Sequence, residues 1–180
     1  MVLVAVGIDM DGLHELLIAF SQKMQSMDVE SWWKMVSSNA GYQNYAEYFI
    51  DELAYCAIDF GRGDVLSFLI SRGFDVNNIK NQRGLPINLC LYPISRIGKS
   101  LISAMLELIN GGALVNKVDP VSGLYPLMHA IENDAFVHAV LLLDRGADPF
   151  LKSHVSGGNS FEYAEIRKKY AFVACMREFV

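Results

Sequence analysis

The chain has 180 residues and a formal net charge of −5; 52% of it is hydrophobic and 19% charged, with ten Phe, eight Tyr and two Trp. Apolar content at this level excludes a disordered chain, and ordinary numbers of Gly and Pro exclude a collagen-like or low-complexity one. The acidic balance argues against a general nucleic-acid binder, which carries a basic surface. Residues 1–52 hold eight acids and two bases, whereas 53–180 hold twelve and thirteen. The acidic third is therefore either a solvated face or one that steers a basic partner.

In chain order, Met1–Gly7 is apolar, lacks a basic residue and stops at Asp9, too short for a signal-peptide core and cleavage site. No apolar run reaches the length of a membrane span, so a cytoplasmic location is expected. Val2–Val6 followed by Asp9-Met10-Asp11-Gly12 resembles the strand-and-DxDG opening of haloacid-dehalogenase-like phosphatases. That resemblance would make Asp9 the nucleophile and Asp11 an acid/base, with a metal assisting. Leu13 stands where that family has Thr or Val, and 52 residues are few for its sheet domain. Asp11 reads better as the N-cap of a helix with Leu13, Leu16, Leu17, Phe20 and Met24 on one face. Asp28 caps a second, short helix carrying Trp32 and Trp33, of which at least one is expected at or near the surface. A third helix starts near Asn44 and runs through Tyr45, Tyr48, Phe49, Leu53 and Cys56.

From there the chain repeats. Phe68-Leu-Ile-Ser-Arg-Gly73-Phe-Asp-Val-Asn77, Leu108-Ile-Asn-Gly-Gly112-Ala-Leu-Val-Asn116 and Leu141-Leu-Leu-Asp-Arg-Gly146-Ala-Asp-Pro149 share one ending, with glycines 39 and 34 residues apart. Gly123-Leu-Tyr-Pro126-Leu-Met-His-Ala130 precedes the last of them, and Gly157–Ala164 repeats it 34 residues on. Ala57 and Ala130 each precede their glycine by 16 residues; Cys90 precedes Gly112 by 22, which places six extra residues within Tyr92–Ser100. Each Gly allows the backbone to leave a helix, and Pro86 and Pro126 suit a first helical turn.

This pattern resembles the ankyrin repeat, with its G-x-T-P-L-H-x-A and L-L-x-x-G-A-D signatures. The resemblance implies an all-α solenoid of helix-turn-helix units at about 53–77, 78–116, 117–150 and 151–180, preceded by a helical cap over 1–52. The family's Thr is here Leu85, Tyr125 or Asn159 and its His is Asn88, Met128 or Glu162, so weakened caps and an irregular array are expected. Carried over by position, partner-binding residues fall at the fingertips: Asn78, Lys80, Gln82 and Arg83; Lys117, Asp119, Val121 and Ser122; Lys152, His154, Val155 and Ser156. Others fall at the inner-helix ends: Asp59 and Phe60, Tyr92 and Pro93, Glu132 and Asn133.

Catalytic and metal patterns are weak elsewhere. Cys56, Cys90 and Cys175 form no CxxC pair, and His14, His129, His138 and His154 are scattered, so no metal or cofactor is expected. Gly61-Arg62-Gly63 reads as a turn between helices and Arg167-Lys168-Lys169 as a solvated basic triplet on the last inner helix. The expected function is non-catalytic protein binding by a dedicated binder that masks one partner, such as a toxin or an enzyme with a basic surface. Such small acidic arrays resemble immunity (antitoxin) proteins. A pathogen effector or scaffold that binds a host protein is the other binding role.

Overall fold

A computed structural model describes residues 10–40, 43, 46–79, 84–92 and 101–180. Among the described residues all regular structure is helical, as expected for an all-α chain. Helix α1 (Met10–Met24) and α2 (Val29–Ser37) come first. Asp28 caps α2 as the sequence predicts, its carboxylate accepting from the Ser31 N–H at 2.9 Å. Asp11 is not an N-cap, because α1 already includes Met10 and places Asp11 within the helix.

The adjacent tryptophans are both used. Trp32 is fully buried and donates from Nε1 to the Phe20 carbonyl of α1 at 2.9 Å. Trp33 is half-buried and turns the other way, edge-on to Phe68 with ring centres 5.1 Å apart. The Arg72 guanidinium lies over both rings, 5.2 Å from Trp33 and 4.8 Å from Phe68.

Four helix pairs follow: α3 (Ala46–Asp59) with α4 (Gly63–Ser71), α5 (Pro86–Leu89) with α6 (Ile102–Asn110), α7 (Pro126–Glu132) with α8 (Phe136–Asp144), and α9 (Ser160–Ile166) with α10 (Tyr170–Arg177). The first helices form a row in which α1, α3, α5, α7 and α9 each pack on the next. Their partners pack alongside, α2 on α4, α4 on α6 and α8 on α10. Arg62, in the turn between α3 and α4, joins the two leading helices to this stack. Its guanidinium donates to the Met24 carbonyl and, at 3.1 Å, to the Met27 carbonyl, while Asp64 holds it at 2.6 Å.

Three of the four pairs share the turn between their helices; most of the second pair's turn lies outside the described residues. Between first and second helix, Gly61, Asp134 and Lys168 all take φ near +60°, at 63°, 54° and 58°. The next residue's N–H, on Arg62, Ala135 and Lys169, donates to the carbonyl of Ala57, Ala130 and Ala164 at 2.9, 2.9 and 2.8 Å. Only glycine reaches that φ without cost, so Asp134 and Lys168 hold it under strain. After the second helix, the Phe74, Ala113 and Ala147 N–H groups bond the Leu69, Leu108 and Leu142 carbonyls at 3.1, 2.9 and 2.9 Å. Those three leucines are fully buried, each contributing about 2 to 3 kcal/mol of burial, and Ala57, Cys90, Ala130 and Ala164 let the helices approach closely.

Two asparagines stitch successive pairs together. Asn77 donates from Nδ2 to the Gly112 carbonyl and accepts at Oδ1 from the Leu114 N–H, both at 2.9 Å. Asn116 repeats this on the Gly146 carbonyl and Asp148 N–H, again both at 2.9 Å.

The expected loss of caps holds in part. Leu85 and Tyr125 give α5 and α7 no side-chain cap, but Asn159 and Glu162 form a reciprocal capping box on α9. Of the segment Tyr92–Ser100, where the six extra residues are expected, 93–100 lie outside the described residues. Among the described residues no helix is long and apolar enough to cross a membrane.

Candidate functional site

Because the first helices lie side by side, their C-terminal ends form a continuous line across the molecule. Asp59 is exposed and Phe60 half-buried at the end of α3. Tyr92, 38% exposed, stands just beyond α5; Glu132 is exposed and Asn133 half-buried at the end of α7. Side-chain contacts join the second, third and fourth of these ends. Burial pushes the Cys90 thiol far above its ordinary range, and the Asp59 charge adds to that effect. The Tyr92 ring sits edge-on to His129, centres 6.0 Å apart. Asn133 donates to the His129 carbonyl at 3.0 Å.

Glu132 carries the line to α9. Its Oε2 accepts the Tyr163 hydroxyl at 2.7 Å and pairs with Arg167 Nε at 3.2 Å. Arg167 also donates to the Tyr163 oxygen at 3.1 Å and stacks 5.0 Å from that ring centre. Ile166, beside it, is 76% exposed. Ile166 and Arg167 extend this line, although the sequence reading places no candidate residue at the end of α9. The signal was present, since they stand two and three residues after Ala164, as Asp59 and Phe60 do after Ala57.

The basic triplet is less free than the sequence suggests. It lies beyond the end of α9, with Arg167 on Glu132 and Lys169 paired to Asp134. Two of its three charges are thus paired with the preceding helix pair.

The fingertips divide into outward and inward residues. Val121 is 59% exposed, and Lys152 and His154 are exposed. Val155 is exposed too, yet its base packs on the neighbouring turn: a Cβ on Gly123 would lie 2.2 Å from its Cγ2. Lys117 spends its ammonium on the Asn77 carbonyl at 3.0 Å. Ser156 is half-buried, and Asn78 accepts the Tyr55 hydroxyl at 3.5 Å. Lys80, Gln82, Arg83 and Pro93 lie outside the described residues. An open depression of about 500 Å³ follows Ala113–Lys117 at the base of the second fingertip.

Asp119 points inward and is buried. Its carboxylate accepts from the Val121 N–H at 3.2 Å and the Ser122 hydroxyl at 3.0 Å, with His129 Nε2 3.5 Å away. Ser122 Oγ also accepts from the Leu124 N–H at 3.2 Å and lies 2.7 Å from His129 Nε2. With the hydroxyl proton on Asp119, the network assigns a proton to His129 Nε2. Serine, histidine and aspartate meet here without the geometry of a catalytic relay, because serine and aspartate face the same ring nitrogen. The cluster locks the turn that the Gly123 N–H closes on the Asp119 carbonyl at 2.7 Å. Burial lowers the His129 pKa, and the Asp119 and Glu132 charges oppose the shift without reversing it.

Of the phosphatase-like pair, Asp9 lies outside the described residues and Asp11 sits on α1. Among the described residues no three His, Cys, Asp or Glu side chains converge as metal ligands. No protein-family model matches this chain, and no curated protein matches it significantly.

Proposed function

We propose that the chain is a divergent ankyrin-type array that binds another protein, without catalysis, along the line from Asp59 to Arg167. The observation that carries this reading is the continuity of that line. Tyr92 meets His129, and Glu132 meets Tyr163 and Arg167, so side-chain contacts link the ends of the second, third and fourth pairs, and α3 of the first pair packs on α5. Aromatic and arginine side chains among polar neighbours make the kind of surface in which a few residues dominate binding. The partner is a protein with a basic region, steered by the acidic N-terminal third, and binding masks that partner in the manner of an immunity protein.

The test is affinity capture from the native host, comparing wild type with a Phe60→Ala/Tyr92→Ala variant of unchanged circular dichroism. One partner captured by the wild type and lost by the variant supports the reading, and equimolar array then abolishes that partner's activity. Equal capture by both proteins overturns the proposed surface. Magnesium-dependent phosphatase activity that disappears in Asp9→Asn overturns the non-catalytic reading.

A further inference from the structure

The four histidines are unevenly placed. His14 and His154 are exposed, whereas His129 and His138 are drawn into one helix pair, α7 with α8. His129 is 4% exposed and engaged by Ser122 and Asp119. His138 buries its Nε2 without a hydrogen-bond partner among the described residues, so a proton there has no acceptor in the folded state.

The surroundings leave this imbalance in place. Around His129 stand Asp119 before its helix, Tyr92 beyond α5, Glu132 on its own helix, and Tyr163 and Arg167 of the α9 unit, both occupied with Glu132. Helix α8, which carries His138 and ends in Asp144, packs on α7, which ends in Glu132, and on α10, which has Lys169 at its N-cap and Arg177 in its last turn. Glu132 is taken by Tyr163 and Arg167, Lys169 pairs with Asp134, and Asp144 with Arg145. Among the described residues none forms an ion pair with His138. The turn joining the pair is held by Asp134 at φ 54°, a conformation relieved on opening.

We infer that α7 and α8 form an acid-sensitive element, which opens locally as the pH falls while α3 and α4 stay closed. Burial holds both imidazoles below their ordinary value of 6.5. The open state therefore binds more protons than the closed one, so stability present above pH 6.5 is lost as the pH falls through and below it. Each imidazole can raise the opening constant by at most about tenfold per pH unit, and the two together by about a hundredfold. Helices α3 and α4 contain no histidine and have no such sensitivity.

The experiment is hydrogen exchange with mass spectrometry on the full chain at pH 7.5, 6.5 and 5.5, corrected for intrinsic rates. Peptides covering 126–144 should lose more protection from pH 6.5 to 5.5 than peptides covering 46–71, by at most about fivefold for one imidazole and about thirtyfold for both. A parallel change in both regions overturns the inference. In His129→Gln/His138→Leu the difference should vanish, and its persistence overturns the inference. Should that variant not fold, His138→Leu alone decides: the difference shrinks by up to about fivefold, or, if unchanged, the inference fails.

Discussion

In the third helix pair, α7 runs seven residues from Pro126, and the residue two after that proline is Met128. Met128 is fully buried, with the Ser156 hydroxyl 3.9 Å from its sulfur. In the second pair, α5 stops after four residues from Pro86, and the same position is Asn88. Asn88 is just as buried, yet neither amide atom has a hydrogen-bond partner among the described residues. The two pairs obey the same proline and glycine punctuation and differ in how their side chains are satisfied. Punctuation sets where the backbone goes, and only the neighbouring unit decides whether a side chain fits there.

The sharpest way to test that contrast is to cut the same hole in both pairs. Leu142→Ala in α8 and Leu108→Ala in α6 remove fully buried leucines at equivalent positions, each expected to cost about 2 to 5 kcal/mol in urea unfolding. A smaller loss at Leu108 marks the second pair as the looser of the two; equal losses erase the difference. Next in size is Asn88→Met, which gives the second pair the third pair's residue. It should stabilise the protein by about 1 to 3 kcal/mol, since two unsatisfied polar atoms leave the interior. A lower urea midpoint would show that Asn88 finds its partners in solution.

The joints between pairs provide a smaller effect. Asn77→Ala and Asn116→Ala each remove two hydrogen bonds at the surface and should cost about 1 kcal/mol apiece, adding in the double variant because the sites share no partner. The smallest effect is a gain. Lys168→Gly relieves a left-handed residue with no ion pair among the described residues, and should raise stability by about 0.5 to 1 kcal/mol in the same assay.

Much of the backbone was legible in the sequence. Gly73, Gly112 and Gly146 mark the helix exits, Pro86 and Pro126 the first helical turns, and Asp28 a cap, because each acts through its own local conformation. Ile166 and Arg167 were equally legible by register and were simply not followed into the last unit. Side-chain direction was harder. Asp119 looks like a fingertip acid in sequence, and its inward turn depends on Ser122 and His129 and on close contact with Gly84, whose Cβ would lie 2.8 Å from its carboxylate. Trp33 could not be placed without knowing that α4 would bring Phe68 and Arg72 to it. Arg62 resembles any turn residue until α1 ends with its carbonyls aimed there.

The asparagine stitches bear on how this surface can evolve. Asn77 and Asn116 grip only main-chain atoms of the unit that follows, so no substitution there other than proline at the two donor positions takes the gripped groups away. The residue whose N–H is held is leucine at 114 and aspartate at 148, with the same 2.9 Å bond. Two codons thus supply the polar joints of the stack, and the side chains of the loops they hold can change while those joints stay closed.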